Sequence, residues 1–170
     1  MTLVVKPRDL VIRTADICDA HGTAARVIVM PWRDFGGRSA FHGPIETVEC
    51  FEDNSKVREA LEEPGQGRVL VVDGGGSLRC ALVGGNLAKL AQDNSWAGVV
   101  VHGAVRDVHE LAAAQVGVKA LGVHPRRSDK RGLGARGPAV RFADTIFHAG
   151  DWVYADEDGL VLASQPLHPV

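Results

Sequence analysis

An Arg-Asp pair, Arg106-Asp107, follows directly on the apolar run Gly98 to Val105, and twenty residues separate it from Gly85 in the turn Gly84-Gly85-Asn86-Leu87. Arginine offers a planar fork of donors to an anionic oxygen, and aspartate is an acceptor-only group suited to Mg²⁺ or Mn²⁺. Asp107 can be the sole protein ligand, because Mg²⁺ keeps several waters and takes further oxygens from substrate. Glu110 lies three residues on, on the same helix face, placed to hold those waters or act on them. Gly84, Gly85, Asn86 and Leu87 open a helix whose first amides lack intrahelical partners, a seat for a carboxylate or phosphate. An anion seat, a cation and an arginine together suit a small 2-oxo acid whose C2 oxygen takes on negative charge. Arg106, Asp107 and Glu110 are thus the candidate catalytic residues; Gly84 to Leu87, with Arg106, bind substrate, and Asp107 binds metal. Taken singly, each has a plainer reading: a turn, a helix cap, a surface charge. Their joint placement carries the functional one.

That placement requires neighbouring strand ends. Arg68 to Asp73, "RVLVVD", is an apolar run ending in an acid and three glycines, the pattern of a strand buried on both faces. A helix over "NLAKLAQDNS", a strand "GVVVHGAV", a short helix "VHELAAAQ" and a strand "VKALGV" follow. Strand and helix alternating in this way predict a parallel βαβαβ centre with right-handed crossovers, and ligands bind outside the carboxyl ends of such strands. Upstream, the spacing predicts a helix over "ADICDAHG" capped by Thr14 or Asp16, a strand "ARVIVMPW" and a turn-rich passage Phe35 to Gly43. A strand "IETVECF" and a helix "SKVREALEE" capped by Asp53 or Asn54 come next. Beyond Pro125 a basic, glycine-rich loop leads into the short strands "AVRFA", "TIFHA", "DWVYAD" and "GLVLA". The expectation is a single α/β domain over residues 1–170, its parallel centre flanked by β segments.

At 170 residues the chain is long enough to bury a core without disulfides or a structural metal. A net charge of −2 gives no support to direct nucleic-acid or membrane-surface binding. Three scattered cysteines fit free thiols in a reducing compartment, and neither a secretion signal nor a membrane-spanning run is apparent; the expected location is the cytoplasm. Cys18-x-x-His21 is half a zinc site without a second pair. His102 reads as a satisfied core or near-pocket histidine, and His109 as solvent-facing. Gly74 to Gly76 fail the dinucleotide fingerprint, because Arg79 takes the last glycine slot, and Ser77 breaks a methyltransferase-like pattern. Lys119 is the one lysine whose context does not dismiss a Schiff base. The basic loop residues Arg126, Arg127, Lys130, Arg131 and Arg136 read as solvated, with RNA or an acidic partner as the alternatives. Arg38 is a candidate to approach a neighbouring subunit's pocket.

The segments "GGNLAKLA", "GVVVHGAVRDVHEL", "VLVVDGGGSLRCAL" and "FGGRSAFHGPIETVECFEDNSKVREAL" resemble the RraA-like family from about Thr14 to Leu162. That family includes the regulator of ribonuclease activity and class II 4-hydroxy-4-methyl-2-oxoglutarate/4-carboxy-4-hydroxy-2-oxoadipate aldolases. Its signature is met by Gly85, Arg106, Asp107 and Glu110. The resemblance implies a swivelling β/β/α layered fold, assembled as a homotrimer or stacked hexamer with sites near subunit boundaries. It implies a divalent cation on Asp107, substrate on Arg106 and the Gly84 to Leu87 amides, and aldol cleavage with oxaloacetate decarboxylation through a pyruvate enolate. Some dedicated aldolases carry an acid in place of Gly85, so this chain follows the shorter, regulator-like pattern. Members have carried a demethylmenaquinone methyltransferase label, to which the loop at Gly74 lends nothing. The runner-up reading is a protein inhibitor of an RNase E-like endoribonuclease.

Overall fold

The computed structural model describes residues 11–168. Four helices and twelve strands alternate along it: α1 Thr14–His21, β1 Arg26–Val27, β2 Arg33–Asp34, β3 Phe41–Glu49, α2 Ser55–Leu61, β4 Val69–Asp73, β5 Ala81–Val83 and α3 Gly85–Asp93 come first. Then follow β6 Gly98–Val105, α4 Val108–Ala113, β7 Gly117–Val123, β8 Ala135–Arg136, β9 Val140–Phe142, β10 Thr145–Phe147, β11 Trp152–Asp156 and β12 Gly159–Ala163. The main sheet runs β1-β12-β11-β3-β4-β6-β7-β2, with β5 beside β6 and β8 beside β3.

The expected parallel centre is present and is one unit longer than the sequence pattern implied. β3 is parallel to β4 from Ile45 to Glu49, so α2 is also a crossover helix. Its first half, Phe41 to Pro44, pairs antiparallel with β11. One strand therefore joins the parallel centre to the antiparallel end. The passage expected to be turn-rich supplies that first half, because Gly43 lets the backbone carbonyl of Gly67 approach where a Cβ would stand.

The alternation of β4 shows how three layers share one sheet. Leu70 and Val72 face Val57 and Leu61 of α2, Leu87 and Ala91 of α3, and Leu111 of α4. Val69 and Val71 face Phe142 and Phe147 of the β9–β10 hairpin and Leu160 and Leu162 of β12. All four β4 side chains are fully buried, as continuous apolar runs in parallel strands require.

Two local expectations need correction. The predicted strand over "ARVIVMPW" is only Arg26–Val27, the edge strand beside β12; the chain then crosses to the other edge, where Arg33–Asp34 pairs with β7. Pro31 has no amide for a ladder, and Val29 is left 80% exposed. Neither Thr14 nor Asp16 caps α1. The flanking residue is Arg13, and Thr14 instead donates its amide and hydroxyl to the Asp156 carboxylate at 2.8 and 2.7 Å. Gly22 ends the helix as expected, at φ 54°.

Candidate active site

β5 lies parallel to β6 with Val83 opposite Val105, so the residues after each strand emerge side by side. The amide of Arg106 donates to the Val83 carbonyl at 2.9 Å, continuing the ladder by one step. Asp107 then turns into the left-handed region, φ 59° and ψ 48°, a conformation aspartate tolerates better than most residues. Its carbonyl accepts the amides of Glu110 and Leu111 at 2.9 Å and starts α4. Its carboxylate Oδ2 accepts the Gly85 amide at 2.9 Å. Asp107 thus ties the two helix starts together, with Oδ1 left for another ligand.

Both glycines are required by this closeness. A Cβ on Gly84 would stand 2.7 Å from Asp107 Oδ2 and 3.2 Å from Arg106 Cγ, and one on Gly85 would overlap the Glu110 carboxylate. Helix geometry leaves the amides of Asn86 and Leu87 without intrahelical acceptors. Gly84, Asn86, Leu87, Arg106 and Asp107 line one cavity of about 210 Å³. That is smaller than the roughly 300–1,000 Å³ of pockets for drug-sized ligands, and suits a small acid better than a nucleotide.

Glu110 is placed differently. Its side chain packs on Gly85 from the far side and lines an adjoining cleft with Lys89, Gln92 and Ala113. Its carboxylate faces His109 Nε2 at 3.7 Å in an exposed pair. Gly85 divides it from the cavity that Arg106 and Asp107 share.

The cavity also holds residues that the sequence pattern did not assign to it: Asn54, Ser55 and Arg58 from α2 and its approach, with Arg127 and Lys130 from the basic loop. The loop is folded over the site by backbone bonds, including the Ala81 amide to the Arg126 carbonyl at 2.8 Å. Asp53, 1% exposed, fastens it to α2: its carboxylate accepts the amides of Ser55 at 2.9 Å and Arg131 at 2.6 Å. Burial pushes the Asp53 carboxyl upward, but the donors from Ser55, Arg131 and Leu133 outweigh it and hold it below the ordinary carboxylate value. The remaining loop arginines turn elsewhere. Arg136 forms a bidentate pair with Glu63, and Arg131 faces Asp129.

Other candidates have structural duties. Lys119 is 1% exposed and donates Nζ to Asp34 Oδ1 at 2.8 Å and to the Asp156 carbonyl at 2.7 Å, outside the Arg106 cavity. His102 Nδ1 faces Asp73 Oδ1 at 3.1 Å, and its ring stacks on Phe142. Asp73 also accepts the Gly75 amide at 2.9 Å, so the glycine loop closes on its own carboxylate. Arg38 lines a separate cleft with Gln92, Ser95, Trp96 and Gln115. Burial, reinforced by Asp53 and Asp73, pushes the Cys50 thiol up to about 12, which keeps it protonated. No group of three or more metal-binding side chains occurs among the described residues. No described helix is long and apolar enough to cross a membrane.

Residues 14–162 match the family model described as RraA-like, Aldolase/RraA. The chain belongs to the RraA-like family. A relative from Alkalilimnicola ehrlichii, named "Putative 4-hydroxy-4-methyl-2-oxoglutarate aldolase", is 61% identical over 156 residues, covering 92% of this chain and 97% of its own. Among solved structures, the RNA-processing inhibitor RraA from Thermus thermophilis aligns at TM-score 0.89 and 45% identity, over 95% of this chain and 96% of that one. A Geobacillus kaustophilus structure described as an S-adenosylmethionine: 2-dimethylmenaquinone methyltransferase aligns at 0.88 and 46%, over 92% and 97%. Three different activities are thus named on one RraA-like fold, and the site must choose among them.

Proposed function

We propose that the chain is a class II carbon–carbon lyase that cleaves 4-hydroxy-2-oxo diacids to pyruvate and decarboxylates oxaloacetate. The observation that carries this reading is the clamp at the strand ends: Asp107 fixed to the Gly85 amide, Arg106 beside it, and two open helix amides in the same cavity. The aldolase name of the Alkalilimnicola relative supports the same chemistry.

In this reading the Asn86 and Leu87 amides receive the C1 carboxylate of the substrate, aided by the helix dipole. Arg106 presents its fork to the C2 oxygen, where negative charge collects as the neighbouring C–C bond breaks. Asp107 Oδ1 is the group that would hold Mg²⁺ or Mn²⁺, since Oδ2 is engaged by Gly85 and no other carboxylate lines the cavity. Such a cation supplies positive charge that stabilises an enolate oxygen. Both reactions leave the same pyruvate enolate, so one site serves both. A Schiff-base route has no candidate here, because the cavity's lysine, Lys130, is exposed and so lacks the desolvation that would activate it.

The test is pyruvate release from 4-hydroxy-4-methyl-2-oxoglutarate and from oxaloacetate, with and without Mg²⁺ or Mn²⁺. Asp107→Asn keeps a side chain that tolerates the left-handed turn, whereas Asp107→Ala adds about 1–2 kcal/mol of backbone strain. Either variant is expected to lower kcat by about 10²–10³-fold. Full turnover without metal, or in Asp107→Asn, refutes the mechanism. The working form in this reading is a cytoplasmic homotrimer or hexamer; the exposed side chains of Phe51, Leu78, Val123 and Leu133 offer apolar surface for such assembly.

The Thermus relative supports a second reading, inhibition of an RNase E-like endoribonuclease. It requires slowed RNA cleavage by the nuclease that survives Asp107→Asn.

A further inference from the structure

Arg127 and Lys130 reach the cavity from a segment in which every residue from Arg126 to Gly134, except Ser128, is exposed. Packing does little for such a segment, so hydrogen bonds must fix its path. At its far end the Asp53 carboxylate accepts the Arg131 amide at 2.6 Å, and Ser55 Oγ accepts the Gly132 amide at 2.9 Å. At its root the acceptor is an imidazole. His124 donates its own amide to the Val105 carbonyl at 3.0 Å, extending the β6–β7 pairing to the residue before Arg106. Its Nδ1 accepts the amide of Arg126 at 3.0 Å.

A main-chain amide can only donate, so Nδ1 carries no proton here and the ring proton sits on Nε2. Pro125 lies between the two residues. Its fixed φ favours a turn, and an acceptor on the residue before it closes that turn around the Arg126 amide. The Arg126 carbonyl then receives the Ala81 amide at 2.8 Å, so the turn is attached to β5 as well as to β7. We infer that His124 is a positioning residue of the candidate site: its imidazole sets the direction in which the loop leaves β7, and so holds Arg127 and Lys130 against the Arg106–Asp107 cavity. His124 itself stands outside the cavity lining and acts through the Arg126 turn. Its bond is exposed and contributes little to the stability of the whole fold, so its effect falls on the local balance between a seated and a displaced loop.

The test uses the full chain. His124→Leu removes the acceptor. His124→Asn keeps one, since an asparagine oxygen accepts the amide two residues on and Asn-Pro favours the same turn. Hydrogen exchange of the amides of residues 129–132, followed by mass spectrometry without ligand, is expected to quicken about fivefold in His124→Leu and to stay within about twofold of wild type in His124→Asn. Urea midpoints of the three proteins are expected to coincide. On the lyase reading, on which this arm alone rests, KM for oxaloacetate is expected to rise about fivefold in His124→Leu with kcat within about twofold, because a displaced wall weakens substrate and transition state alike. Unchanged exchange in His124→Leu, equal quickening in His124→Asn, or a lowered urea midpoint that accounts for the quickening overturns the role. If the wild type releases no pyruvate while exchange follows the expected order, the lyase reading fails and the positioning of the loop by His124 stands.

Discussion

An added methyl group at position 85 would fall on the Glu110 carboxylate and within 2.8 Å of Glu110 Cβ. Swinging the carboxylate away relieves only part of that overlap, so α4 must shift as well. Gly85→Ala is therefore expected to destabilise the fold by about 1–3 kcal/mol. Glu110→Ala should be nearly neutral by itself, and the double variant should recover only part of the loss, because the Cβ at position 110 remains. Denaturant melts of the four proteins in a double-mutant cycle measure this, and additive effects would show that the overlap is not the cause. The candidate group at this scale was legible in the sequence: an arginine and an aspartate where an apolar run stops, and a glycine turn where another begins its helix. The three basic residues of the outer wall were not. A charge run gives no hint of its path, and the loop's route over the cavity depends on Asp53, whose contacts with Ser55 and Arg131 are set by tertiary structure.

Among the elements, β11 and the segment after β12 hold a cluster that the sequence did not single out. Tyr154, fully buried, bonds through its hydroxyl to His168 Nδ1 at 2.6 Å and accepts the Leu167 amide at 2.8 Å. The rings of His42 and His168 meet edge to face at 5.0 Å. Burial lowers the pKa of both histidines from the usual value of 6.5, and for His42 the neighbouring His168 lowers it further. Because the folded pKa values lie below the unfolded ones, the unfolded chain binds more protons as the medium acidifies. The stabilisation is complete above about pH 6.5 and is lost as pH falls through the folded values. Midpoints of urea unfolding between pH 5 and 8 should therefore fall on the acid side, and His42→Phe with His168→Phe should flatten that slope. An unchanged slope would assign the loss to other groups. The helices and parallel strands were readable because 3.6- and continuous-apolar patterns are local. The fate of "ARVIVMPW" was not, because whether an apolar run enters a sheet or crosses its face depends on which edges are free.

For the molecule as a whole, β4 is one of the strands that both cores share, with β3 and β6. Leu70 faces the helices, and its loss should cost about 2–5 kcal/mol in denaturant melts. Its neighbours Val69 and Val71 pack on the hairpin side, so both layers should melt together. Separate transitions for near-UV and far-UV signals would contradict one cooperative unit. The layered α/β class followed from the alternation of strands and helices. The β3 junction did not, since one strand pairs parallel in its second half and antiparallel in its first, and nothing in residues 41–49 alone announces that change.

The division of labour around the cavity has an evolutionary corollary. The end of the cavity at Arg106 and Asp107 is embedded in the parallel strands and constrained by two glycines, whereas the opposite wall includes a loop fastened through Asp53 and Ser55. Loop residues can therefore be exchanged with less disturbance to the sheet than residues at the strand ends. Diversification in this lineage would then be recorded between residues 126 and 136, with the strand ends changing far more slowly.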